Sequence, residues 1–238
     1  MGDDDLKTEI ADLQWKALVQ SIRNSSTSSL KNCLAIADVS GSMTFDYNAH
    51  WGLGDPTMPR PIHPCIALTL LMSELSVTPW RGSFFTFSSK PTMEYIDPAR
   101  PLSQRAKELS QAHWRNSTNL HAVFKLILSS AQRAKLPPAD MISTLFVFSD
   151  MQFNKCGGEV FHEAIYQVIK NEFEVAGYKI PELVFWNLAA RVGGTPKPVT
   201  AGQSGVSLMS GYSGSLMKYF LGRPANEDEN IAKVSIET

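Results

Sequence analysis

At 238 residues, 43% hydrophobic and 19% charged, the chain has enough material for one large α/β domain with a filled core. Its 22 Lys and Arg balance 23 Asp and Glu to a net charge of −1, and no basic run stands out. Nothing therefore draws it broadly to nucleic acid or to an anionic membrane. No apolar stretch reaches the ~20 residues of a bilayer-spanning helix, and the opening "MGDDDLKTEI" is acidic, without an apolar signal core. Cys33, Cys65 and Cys156 form no CxxC pair and suit a reducing compartment, where Cys33 and Cys65 read as small core residues. These features lead us to expect a cytoplasmic or nucleocytoplasmic protein with no membrane partner.

In chain order, "LKTEIADLQWKALVQSI" spaces Leu6, Ile10, Leu13 and Ala17, with Trp15, Leu18 and Ile22 beside them, as a docked amphipathic helix does. A polar linker, "RNSSTSSLKN", leads to "NCLAIADVS", an apolar run that reads as a strand buried on both faces. The stretch from Thr44 to Pro64 is long and rich in Pro and Gly, a pattern usual in functional loops. "CIALTLLMSELS" then reads as a helix, "RGSFFTFSS" as a strand and "PTMEYID" as an edge strand joined to it by a hairpin. "SQRAKELSQAHW" and "NLHAVFKLILSSAQRAK" are helical, the second stopping before Pro137 and Pro138. "MISTLFVFSD" is a buried strand, "EVFHEAIYQVIKNEFEVAGY" a helix closed near Gly177, "PELVFWNL" a strand, "GVSLMS" a short strand and "SGSLMKYFL" a last helix. The charged end "RPANEDENIAKVSIET" is weakly patterned. Alternation of this kind predicts an α/β fold: a mainly parallel central sheet, one antiparallel edge strand and helices on both faces.

The functional question lies where the first strand stops. Its apolar run ends in Asp38, Ser40 and Ser42, oxygen-bearing residues at alternate positions, with Gly41 permitting a sharp turn. Open α/β sheets bind ligands beyond the carboxyl ends of their strands. At those ends stand Asp150, after "TLFVFS", and, just before a predicted helix, Thr118. Two carboxylates and three hydroxyls, with neither nitrogen nor sulfur, suit a hard cation: Mg²⁺, or Mn²⁺ or Ca²⁺. Singly, each residue reads equally as a turn or helix-capping group. The histidines show no HxxxH-type spacing, and the tryptophans lack the basic neighbours of a base-stacking platform.

Asp-x-Ser-x-Ser with a distant Thr and a later Asp resembles the metal-ion-dependent adhesion site of von Willebrand factor A domains. "NCLAIADVSGSM", "ALTLLMSELS", "FFTFSS", "FVFSDMQF", "AGYKIPELVFWNL" and "GVSLMSGYSGSLMKYFL" extend the resemblance, from about Trp15 to Leu221. They are similar to a plant family of uncharacterised proteins that join a TROVE-like helical region to a C-terminal von Willebrand A domain. The chain is shorter than that family's usual length, as a portion lacking the helical region would be. The patterning gives residues 1–30 as a helix and linker packed on the domain and 223–238 as a charged tail, and the resemblance implies 31–222 as a von Willebrand A-type (Rossmann-like) domain. It implies that Ser40, Ser42 and Thr118 contact the metal, that Asp38 and Asp150 act largely through water, and that a partner protein's Asp or Glu completes the coordination. Ser213 to Phe220 would be the element that moves when it does.

The expected function is thus divalent-cation-dependent protein recognition without catalysis; oligomeric state is left open. A Mg²⁺-dependent hydrolase or phosphotransferase is the alternative, although Ser40 stands where a haloacid-dehalogenase-type phosphatase needs a second Asp. "GYSGS" also misses GxSxG, and no GxxxxGK[ST] loop occurs. RNA association by analogy with TROVE proteins would belong mainly to a helical region outside these residues.

Overall fold

Runs that are apolar at every position leave no polar face, so they can only be strands covered on both sides. The computed structural model describes residues 3–24, 30–44, 60–86, 90–112, 119–150, 163–188 and 205–211. Among them six strands form one sheet: β1 (Cys33–Ala37), β2 (Ser83–Thr86), β3 (Met93–Tyr95), β4 (Thr144–Ser149), β5 (Glu182–Asn187) and β6 (Val206–Ser210), in the order β3-β2-β1-β4-β5-β6. Every pairing is parallel except β2 with β3, the expected antiparallel edge. The fold is the mixed α/β, Rossmann-like architecture that the alternation predicts.

The described helices are α1 (Asp3–Asn24), α2 (Ile62–Leu75), α3 (Leu102–Ser110), α4 (Leu120–Ala134) and α5 (Glu163–Val175). Because strand side chains alternate faces, β1 divides its residues between two apolar layers. Cys33, Ala35 and Ala37 join Phe84, Phe146, Phe148, Val184 and Trp186 beneath α1, α2 and α3. Leu34 and Ile36 join Phe85, Leu145, Val147, Leu183 and Phe185 beneath α4 and α5. Small residues on one face of β1 admit the aromatic rings of its neighbours, where Phe146 and Phe148 stack at 5.9 Å and Phe148 meets Trp186 at 5.7 Å. None of the described helices is long and apolar enough to cross a membrane.

One boundary and one docking face differ from the sequence reading. Helix α2 begins at Ile62, inside the expected Thr44–Pro64 loop, because Pro64 falls in the first turn, whose N–H groups have no helical partner to lose. Helix α1 docks through Trp15, Val19 and Ile22, whereas Leu6, Ile10 and Leu13 are 49%, 45% and 59% exposed. Polar anchors select that face. Trp15 Nε1 donates to Glu74 Oε1 at 2.6 Å, Arg23 Nη2 donates to the Glu74 carbonyl at 2.5 Å, and Asp12 Oδ1 accepts from the Leu102 N–H at 2.6 Å. Arg105 of α3 pairs with Glu74 in the same buried junction and lies over the Trp15 ring. Glu74 thereby ties three helices together.

Gly82, at φ +80°, precedes β2; a Cβ there would meet Tyr95 at 2.6 Å and the Ile96 carbonyl at 2.8 Å, so the β2–β3 return requires glycine. Gly177, also at φ +80°, follows α5 as the sequence predicts. The expected helix over Ser213–Phe220, the 223–238 tail, Cys156 and residues 45–59 of the long loop lie outside the described residues.

Candidate metal centre at the switch point of the sheet

From β1 the chain turns outward to β2 on one side, while β4, arriving later, pairs with the other side of β1. Neighbouring strands whose connections leave in opposite directions open a crevice at their carboxyl ends, the usual ligand position in such sheets. The register Ala37↔Phe148 brings Asp38 beside Ser149. The Asp38 N–H donates to the Phe148 carbonyl at 2.9 Å, carrying the pairing one residue past the strand.

Asp38 is 4% exposed and Asp150 1% exposed. Both Asp38 carboxylate oxygens are held. Oδ1 accepts from the Ser40 backbone N–H at 3.0 Å, and Oδ2 accepts from the Ser149 hydroxyl at 2.6 Å. Ser40 Oγ and Ser42 Oγ stand 3.0 Å apart, brought together by the 3-10 turn Gly41–Thr44, which the Met43 N–H closes onto the Ser40 carbonyl at 3.0 Å. Burial raises the Asp38 carboxyl above the ordinary carboxylate range; hydrogen bonds from Ser149 and Ser40 draw it back, and the negative charge of Asp150 pushes it up again.

Of the five residues singled out in the sequence, the structure describes Asp38, Ser40, Ser42 and Asp150, gathered at the ends of adjacent strands. Thr118 lies outside the described residues; its neighbour Asn119 caps α4, the Asn119 side chain accepting from the Ala122 N–H at 2.9 Å. Ser149 is a participant that sequence reading missed. Its signal was its place immediately before Asp150, which the β1–β4 register turns into a position opposite Asp38.

The donors fit a hard cation: carboxylate and hydroxyl oxygens, at the end of a strand pair that excludes water from below. The nearby sulfur does not compete. Cys65 is buried, its thiol donates to the Asp38 backbone carbonyl at 3.4 Å, and burial, reinforced by the Asp38 charge, raises it well above the ordinary thiol range, so no thiolate forms.

Residues 32–238 match the profile of the family described as Domain of unknown function (DUF7788). An uncharacterised protein, L728, of Acanthamoeba polyphaga mimivirus is 34% identical over 210 residues, which cover 88% of this chain and 33% of that protein. The crystal structure of the Deinococcus radiodurans RO (RSR) protein aligns with a TM-score of 0.49 and 18% identity, over 81% of this chain and 34% of that one. The chain thus spans about a third of the length of each.

Proposed function

Since the chain belongs to the DUF7788 family, whose description assigns no activity, function has to be argued from the site. We propose that the crevice between β1 and β4 is a metal-ion-dependent adhesion site of von Willebrand A type, through which the protein recognises an acidic residue on a partner polypeptide. The observation that carries this reading is the burial of two carboxylates, Asp38 and Asp150, at the ends of neighbouring strands, where the charge of one raises the other, beside two serine hydroxyls 3.0 Å apart. Burying adjacent negative charges is costly, and a divalent cation offsets that cost.

Ser40 and Ser42, with Thr118, would supply neutral oxygens to the ion; Asp38, both of whose oxygens are already engaged, would act through water, as would Asp150. Bound there, Mg²⁺, Mn²⁺ or Ca²⁺ supplies an electrophilic open position that attracts a carboxylate. Ser149 and the Ser40 N–H hold the Asp38 carboxylate in one orientation. The role is recognition, with no catalytic step.

The test is thermal unfolding against Mg²⁺, Mn²⁺, Ca²⁺ and EDTA, followed by water-proton relaxation of bound Mn²⁺ with a Glu-containing peptide and its Gln counterpart. Stabilisation by at least one ion that Ser40→Ala and Ser42→Ala diminish is expected, with water displaced from Mn²⁺ by the Glu peptide alone. Indifference to all three ions would overturn the proposal.

A further inference from the structure

Helix α1 is apolar on two opposite sides. At 100° per residue, Trp15, Val19 and Ile22 share the side that meets α2 and α3, while Leu6, Ile10, Leu13 and Ala17 share the other and are exposed. The exposed stripe follows 4-3-4 spacing, the seam of a helix pair. Glu9 and Lys16 flank it on one edge, a heptad apart and opposite in sign, and the helix as a whole runs from acidic (Asp3, Asp4, Asp5) to basic (Arg23).

We propose that this face binds a second copy of the chain, α1 pairing with its counterpart antiparallel about a two-fold axis. In that arrangement Ile10 layers on the partner's Leu13 and Leu6 on the partner's Ala17. Residues on one edge then face the same edge of the other helix, so Glu9 meets the partner's Lys16 and, by symmetry, Lys16 meets the partner's Glu9. A parallel pair would oppose the acidic N-termini and leave both residues without a complementary charge. Because the docked and exposed stripes are on opposite sides, the second domain lies beyond the helix pair, clear of the first. One pair of helices about 33 Å long is a small interface, so association is expected at tens of micromolar protein, roughly. It is independent of the metal centre.

Sedimentation velocity of the full chain from about 1 to about 300 µM, repeated in EDTA, tests this. A chelator-insensitive monomer–dimer equilibrium is expected. Ile10→Lys and Leu13→Lys should weaken it at least about tenfold without changing helix content or the unfolding midpoint, since both side chains are exposed in the monomer. Glu9→Lys alone and Lys16→Glu alone should each weaken it about fivefold, and E9K combined with K16E should restore it. A monomer throughout the range, a dimer whose affinity Ile10→Lys leaves unchanged, or a double exchange that fails to restore association would overturn the proposal.

Discussion

Replacing Asp38 by Asn exchanges a buried carboxylate for a neutral group of the same shape. The amide oxygen can still accept from the Ser40 N–H, and the amide NH₂ can donate to the Ser149 hydroxyl, which only reverses its role. The turn therefore survives, while the unfavourable burial of charge beside Asp150 disappears. In EDTA the variant should be as stable as the parent protein or more so. With Mg²⁺ the order should change. At one hundred times its dissociation constant the ion should stabilise the parent by about 2.7 kcal/mol, which for a chain of this size is about 5–11 °C in Tm. Losing a group that orients or balances a metal typically weakens binding about 10- to 100-fold, leaving the variant only about 1.4 to 0.4 kcal/mol at the same Mg²⁺ concentration. Differential scanning calorimetry across a Mg²⁺ series reads both effects. If the two proteins gained equally from Mg²⁺, or if the variant lost several kcal/mol in EDTA, Asp38 would be a structural turn residue and the metal argument would fail.

The same carboxylate gives the site a pH dependence. A raised Asp38 means that the folded state holds a proton the unfolded chain has released, so without metal this group's contribution to stability falls as pH rises from the ordinary Asp range to the raised value and is level above it. Mg²⁺ favours the ionised form, so the Mg²⁺-induced Tm shift should grow with pH across that window; a pH-independent shift contradicts the assignment. Ser149→Ala removes the charge-assisted bond to Asp38 Oδ2 and should cost about 1.5–3 kcal/mol in urea unfolding, with weaker Mg²⁺ stabilisation. Arg105→Met strands the Glu74 carboxylate and should cost about 3–5 kcal/mol, most of it recovered when Glu74→Gln is added; a loss for the double variant equal to the sum of the two single losses would show that the pair is not coupled.

The strands were legible because β1, β4 and β5 are apolar on both faces, a pattern that solvent-facing segments cannot afford. Asp38 and Asp150 stood out because each ends such a run in an ionisable group. Ser149 was invisible as part of the site because its role comes from register with a strand 111 residues away, and register is written only in the assembled sheet. The docking face of α1 failed for a related reason. Leu6, Ile10 and Leu13 carry the same helical period as Trp15, Val19 and Ile22, and the choice between them was made by Glu74 and the Leu102 N–H, whose positions depend on α2 and α3. Buried polar partners distant in sequence, rather than hydrophobic count, decided the orientation.

The place of β1 in the sheet also governs how the polypeptide is made. Its first half leaves the ribosome with a central strand whose other neighbour, β4, is not yet translated, and Asp38 waits for Ser149 across 111 residues. At about 5–20 residues per second that interval is about 6–22 seconds. During it one margin of β1 stands open in the nascent chain, so the arrival of β4 sets when Asp38 gains its Ser149 partner and the carboxyl end of the strand pair is complete.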